Sequence, residues 1–293
     1  MNTRTLGEHA FRLAVYAICL FILVVTLYPL YFIFIASVSN PVEVANGNVW
    51  LLPKGITTLG YERIFVDDRI WIGYRNTILY TVGGTILSLL VTIPAAYALS
   101  RKDFVLRRPL MFYFVFTMFF SGGLIPTYIT VKNYGLVDTP WVMIILWAFN
   151  TFNMIVARTF FEANIPDELF EAAKIDGCGN ARFFVQIVLP LSKAILSVVM
   201  LFVIVGKWNE YFTALIYLRN TDLFPLQIIL REILIQNNAF MNGSGVTANS
   251  SITQLADLIK YGIIIVSTLP VLIIYPFIQK YFEKGMMVGA VKG

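Results

Sequence analysis

The chain has 293 residues, 58% of them hydrophobic and 13% charged, where a soluble globular domain carries about 45–50% and 25%. Its 22 basic and 17 acidic residues cannot cover the surface of a soluble protein of this size, so the composition marks an integral membrane protein and excludes a cytosolic enzyme or a secreted disulfide scaffold. The net charge of +5 is what basic cytoplasmic loops supply by themselves and gives no argument for a nucleic-acid partner.

A helix needs about 20 apolar residues to cross the hydrocarbon core, so charge-free stretches bounded by charges mark the expected spans. The first stretch holds 30 uncharged residues between Arg12 and Glu43. Its apolar run from Leu13 to Val38 far exceeds the about 7–15 residues of a signal-peptide core, and it reads as a retained anchor. After a loop of residues 39–75, the second stretch has 25 uncharged residues between Arg75 and Arg101, and the third has 23 between Arg108 and Lys132. The fourth has 19 between Asp138 and Arg158.

From Glu162 to Lys193 the chain then leaves the membrane, for much longer than in the loop 101–109. Asn164 reads as a helix cap, Pro166 lies near the first turn, and Asp167 and Glu168 complement the positive helix end. Leu169, Ala172, Ala173 and Ile175 form an apolar face before Gly177 breaks the helix. A second short helix is expected from about Asn180, with Phe183, Phe184, Ile187 and Val188 on one side, ending at Pro190. Amphipathicity alone would make this an interfacial helix on the membrane surface.

The fifth span runs from about Leu191 to Leu218 and is apolar except for Lys207, Asn209 and Glu210. Lys207 and Glu210, three apart, can meet on one helix face as a structural pair. Residues 233–256 are uncharged yet rich in Asn, Gly and Ser, which predicts a polar external loop with short helical pieces. The sixth stretch has 19 uncharged residues between Lys260 and Lys280, and a tail of residues 283–293 follows.

Six transmembrane helices place both termini on one side. With that side inside, cytoplasmic pieces hold 13 Lys and Arg and external pieces hold 8, with Lys207 within a span. Both ends are therefore expected in the cytoplasm. The expected fold is an all-α integral membrane domain over residues 1–293, with its core at about 72–282 and a cytoplasmic helical loop at 162–190 between the fourth and fifth spans.

The chemistry that is missing narrows the function. His9 is the only histidine, and Cys19 and Cys178 are far apart, so no His/Cys metal or haem site is expected. No GxxxxGK[ST] occurs, so the chain has no phosphate cradle of its own. Polar and aromatic groups within spans are candidates for a solute path: Trp147, Asn150 and Asn153 on the fourth, and Lys207, Trp208, Asn209, Glu210 and Tyr211 on the fifth. They combine stacking surfaces with amide hydrogen-bonding groups, as sugar recognition requires. Aromatic residues are also ordinary at membrane interfaces, which leaves both readings open.

Glu171-Ala172-Ala173, three residues, Gly177, nine residues, Ile187, one residue and Leu189-Pro190 resemble the EAA signature of ABC importer membrane subunits. At background usage the match arises by chance in fewer than about 1 in 10,000 such chains, which favours the motif over a plain interfacial helix. Phe120–Tyr128, Trp208-Asn209, Tyr217-Leu218-Arg219 and the tail Gly285–Gly293 look like carbohydrate-importer permeases, most closely the oligo- and polysaccharide branch that includes alginate and pectin-fragment importers.

The resemblance implies a permease that is no enzyme and binds no cofactor. ATP and Mg would be held by two copies of a cytoplasmic ATPase. A second homologous permease and an extracytoplasmic solute-binding protein would complete the machine, in a bacterial cytoplasmic membrane. Glu171, Ala172, Ala173, Asp176, Gly177, Ile187, Leu189 and Pro190 would couple to the ATPase, and the tail residues Gly285, Gly289 and Lys292 would reach into its dimer. The rival class is an ion-coupled secondary transporter or channel, which calls for intramembrane carboxylates, and Glu210 is the only one inside an expected span.

Overall fold

The computed structural model describes residues 6–243, 258–274 and 276, which form helices joined by turns and loops, with no strand among them. They fall into two compact units, one within Met1–Asp68 and Leu230–Leu269, the other within Arg69–Ile229 and Pro270–Gly293.

The first unit is built on helix Leu6–Ser37, which carries Pro29 in its interior. Most large apolar side chains from Phe11 to Phe34 are exposed within this chain, a surface suited to hydrocarbon or a neighbouring membrane helix. The expected loop 39–75 contains helices Pro41–Ala45 and Leu59–Val66, the former capped by Asn40, whose side chain accepts from Val42 N. Hydroxyls tie this region to the long helix: Tyr28 donates to the Trp50 carbonyl at 3.3 Å, and Ser37 and Tyr61 share a 2.7 Å bond. Phe32 meets Tyr261 of the apolar helix Leu258–Ile274 edge to face at 6.1 Å.

The second unit begins with the 33-residue helix Asp68–Ser100. Its buried face includes Thr77, Thr81, Thr85, Ser88 and Thr92, whose spacing of three or four keeps them on one stripe. Small hydroxyl side chains allow close helix approach where hydrophobic burial no longer discriminates between lipid and protein. The N-terminal part is pinned by Asn76 Nδ2, which donates to the Asp222 and Phe224 carbonyls at 2.7 and 3.1 Å, and by Thr77 Oγ1, which accepts from Leu226 N at 2.8 Å.

The next three expected spans are interrupted. Helices Arg107–Phe119 and Leu124–Asn133 meet at 114° across Phe120–Gly123, where Gly123 has φ +84°. Helix Pro140–Ile145 is separated from Thr151–Asn164 by residues 146–150, and Lys193–Trp208 from Phe212–Tyr217 by residues 209–211. Among the described residues, two helices are long and apolar enough to cross a membrane unaided, Gly7–Ser37 and Asp68–Ser100. Up to four are obtained if each bent pair counts as one span.

The polar loop expected at residues 233–256 does not begin where composition places it. Helix Leu226–Gly243 runs unbroken for 18 residues, well into that stretch. Its first turns are apolar and buried at Leu226, Ile228, Ile229 and Leu230, so packing extends a helix that the polar composition further along conceals.

Two apolar cores organise the second unit. One joins Ile93, Ala96 and Leu99 to Met154, Ala157 and Phe161 and to Ile195, Val199 and Val203, with Ala173, Phe183 and Val188 closing it below. The other joins Tyr80, Val142, Met143, Ala214, Tyr217 and Ile228.

Candidate functional site

Residues 167–191 of the second unit form two helical stretches around a glycine turn. Helix Asp167–Ile175 carries Asp167 and Glu168 in its first turn and Lys174 in its last, the arrangement the helix dipole favours. It ends in a Schellman turn: Cys178 N donates to Ala173 O at 2.9 Å and Gly177 N to Lys174 O at 3.1 Å, with Gly177 at φ +75°. Asn164 is not the cap. It is the last residue of the preceding helix, where its side chain donates to Phe160 O at 2.9 Å, and Pro166 takes the cap position instead.

Pro190 does not end the second helix. Asn180–Phe183 passes into a π turn at Phe184–Val188 and on through Leu189–Leu191, and the chain bends by 81° only at Ser192. Pro190 sits in the first turn of its short helix, where it withholds no bond that a helix start requires.

The motif residues divide between two faces. Ala173 is 8% exposed and belongs to the core with Leu169 and Phe170, and Ile187 and Leu189 pack against that core as well. Glu171, Ala172, Asp176, Gly177 and Pro190 are exposed, as is Ile175 at 86%. The predicted single apolar face is therefore two: Leu169 and Ala173 hold the helix to the protein, while Ala172 and Ile175 flank Glu171 on the free side. A carboxylate beside a small side chain and an exposed isoleucine can form an ion pair and seat an apolar contact on a partner.

Four basic residues that the sequence offers only as topology charges hold the root of this helix and the end of the helix before it. Lys102 Nζ and Arg101 Nη1 reach Asp167 at 2.8 and 3.5 Å, and Arg101 also lies 4.0 Å over the Phe170 ring. Arg158 Nη2 and Arg107 Nη2 reach Glu162 at 2.6 and 3.3 Å, and Arg158 Nε donates to Leu99 O at 3.0 Å. The Asp167 carboxyl is held below its ordinary range by the Lys102 hydrogen bond, and the same bond raises the Lys102 ammonium. Only the Arg158–Glu162 pair, four apart on one helix, was legible from spacing. The other pairs join residues about 60 apart in sequence, and no local pattern signals them.

The pathway candidates separate similarly. Asn150 caps helix Thr151–Asn164 by accepting from Asn153 N at 3.0 Å, and Asn153 is buried. Glu210 accepts from Thr213 N and Oγ1 at 3.0 and 2.9 Å, Asn209 Nδ2 donates to Val205 O, and Trp208 is 4% exposed. Lys207 and Glu210 do not form the expected ion pair. Lys207 Nζ instead donates to the carbonyls of Met143 and Leu146 at 2.7 and 2.9 Å. A charge at such a depth costs about 2.5–3.5 kcal/mol unless paired, and the carbonyl end of a short helix supplies partners of the right sign. Trp147 and Tyr211 are exposed. The tail residues Gly285, Gly289 and Lys292 lie outside the described residues.

Residues 70–288 match the family model described as binding-protein-dependent transport system inner membrane component. The chain is 40% identical to the polygalacturonan/rhamnogalacturonan transport system permease protein YtcP of Bacillus subtilis (strain 168), over 97% of this chain and 98% of that protein. It is 38% identical to protein LplC of the same organism, over 92% of this chain and 90% of that protein. A crystal structure of a bacterial ABC transporter involved in the import of the acidic polysaccharide alginate is similar with a TM-score of 0.84 and 32% identity, covering 96% of this chain and 100% of that one.

Proposed function

Because this chain belongs to the family of binding-protein-dependent transport system inner membrane components, we propose that it is the permease subunit of an ATP-driven importer of oligosaccharides. Acidic fragments of pectin or alginate type are the favoured cargo, moved inward by alternating access; the names of the relatives, a polygalacturonan permease and an alginate importer, support this choice. In this reading the chain crosses the membrane six times with both termini inside, and its third, fourth and fifth spans each cross as two helical pieces.

The observation that carries the proposal is the division of the coupling segment into a bolted face and a free face. Leu169, Ala173 and the ion pairs of Asp167 with Arg101 and Lys102 tie the helix to the rest of the unit, while Glu171, Ala172 and Ile175 face outward. A partner gripping the free face moves the whole helix, and the shared core passes that motion to the second, fourth and fifth spans. The partner would be an ATPase, present in two copies with ATP and Mg, facing this permease and a second related one. The external stretches 39–75 and 219–260 would receive a loaded solute-binding protein.

The ion-coupled alternative rests on a single intramembrane carboxylate, Glu210, which accepts from Thr213 N and Oγ1. Co-purification tests the proposal. Detergent-solubilised chain, expressed with the genes beside its own, is expected to retain an ATPase and a second permease, and the Glu171→Lys variant to lose the ATPase. Purification of the chain alone, or equal ATPase retention by wild type and variant, contradicts it.

A further inference from the structure

Two helix interruptions of the second unit, and the helix that follows the third, line one cavity. A space of about 240 Å3 is lined by Ser121 and Gly123 from the first break, Trp147 from the second, and Thr213, just past the third, with Thr127 and Tyr217 completing the wall. The helices leading to the breaks have 13, 14 and 16 residues, about 20–24 Å from their cytoplasmic ends at about 1.5 Å per residue. In the six-span reading, on which this inference rests, that places all three breaks at similar depth in the outer third of a hydrocarbon core about 30 Å thick. Irregular backbone is tolerated at such depth where it is buried in protein or lines a water-filled cavity.

Trp147 is the unusual member of this wall. Its backbone lies at φ +63°, a region that a bulky side chain rarely occupies and that persists only where surrounding structure imposes it. Its indole is 64% exposed, and its N–H has no partner among the described residues. An aromatic face with a free donor beside it, in a wall that also carries Ser121, Thr127 and Thr213, matches one sugar ring, which offers an apolar C–H face and a rim of hydroxyls. The volume is below the about 300–1,000 Å3 of sites that enclose a whole drug-sized ligand, so it suits a single ring of a longer chain.

Lys207 imposes the backbone turn. Its ammonium holds the carbonyls of Met143 and Leu146, the last of these preceding Trp147 directly, and Ala148 N closes the turn on Ile145 O at 3.1 Å. Its stem passes Gly84 of helix Asp68–Ser100 so closely that a Cβ there would stand 2.9 Å from Lys207 Cε. We propose that this cavity is a one-ring glycan subsite of the transport path in which Trp147 supplies the stacking face, and that Lys207 is the positioning residue that presents it rather than a charge that meets an acidic sugar.

The test uses the complete transporter with its binding protein in proteoliposomes, measuring ATP-dependent uptake of trigalacturonate and of a mannuronate trimer beside binding-protein-stimulated ATP hydrolysis. Trp147→Phe is expected to keep uptake within about threefold of wild type and Trp147→Leu to lose about tenfold, with ATP hydrolysis in both within about twofold. A leucine side chain at this position preserves an apolar contact to lipid or to another subunit but not a stacking face, so uptake by Trp147→Leu equal to wild type overturns the subsite. Lys207→Met is expected to resemble Trp147→Leu, and the double variant to be no worse than either, as for residues acting in one unit. Additive losses overturn the positioning role. Wild-type proteoliposomes that take up neither trimer contradict the importer reading itself, a result separable from import that ignores Trp147.

Discussion

Arg158 joins two helices through one side chain: it pairs with Glu162 one turn on along its own helix and donates to the Leu99 carbonyl at the end of the second span. Arg158→Met removes charge-assisted bonds at a partly buried site and is expected to cost about 1–2 kcal/mol locally. Hydrogen exchange in the last turns of helix Thr151–Asn164 should then quicken about 5- to 30-fold. Asp167 makes a pH-dependent contribution of known sign. Its folded pKa lies below the ordinary value of 3.8, so its stabilisation is in place at neutral pH and is lost as pH falls through the folded value. Exchange protection of helix Asp167–Ile175 should hold from about pH 8 to pH 5 and decline only in stronger acid, and Asp167→Asn should remove the decline. The motif positions were legible because they recur at fixed spacing, but their division was not. Ala172 and Ala173 are the same residue in sequence, and only the packing of Phe170 and Phe183 decides which one is buried.

The elements show how far hydrophobic length alone can be trusted. Charge-free stretches locate the segments between Arg108 and Lys132 and between Asp138 and Arg158, yet each is made of two helices. The first break has a local signal, Ser121-Gly122-Gly123, and Gly123 has φ +84° and ψ 177°, a conformation that essentially only glycine adopts. Gly123→Ala has open space for its Cβ, so its expected cost of about 1–3 kcal/mol is conformational. It should reduce uptake while leaving purification with the ATPase intact. The second break has no such signal, because Trp147 adopts its positive φ through Lys207, 60 positions away. Gly84→Ala tests that link: the added methyl displaces the Lys207 stem, and uptake should fall as in Lys207→Met although the ammonium remains. The expected stop at Pro190 failed for a related reason, since the π turn before it shifts the hydrogen-bond register and lets the helix run on to Leu191.

At the scale of the whole molecule, helix Leu6–Ser37 leaves a continuous apolar surface and helix Asp167–Ile175 leaves a carboxylate beside an exposed isoleucine, surfaces suited to lipid and to partners. The scarcity of charge was the first thing legible in the sequence. Its arrangement, with Arg101, Lys102, Arg107 and Arg158 gathered around Asp167 and Glu162, required the fold. In the proposed transporter, energy from a cytoplasmic ATPase enters through the face formed by Glu171, Ala172 and Ile175. ATP-dependent trigalacturonate uptake by the reconstituted complex, compared between wild type and the Glu171→Lys and Ile175→Asp variants, puts that entry point to the test. Wild type should accumulate the sugar, and each variant should lose at least about tenfold of that rate, roughly the 1.4 kcal/mol of one displaced interface contact. Uptake by both variants at the wild-type rate would contradict it.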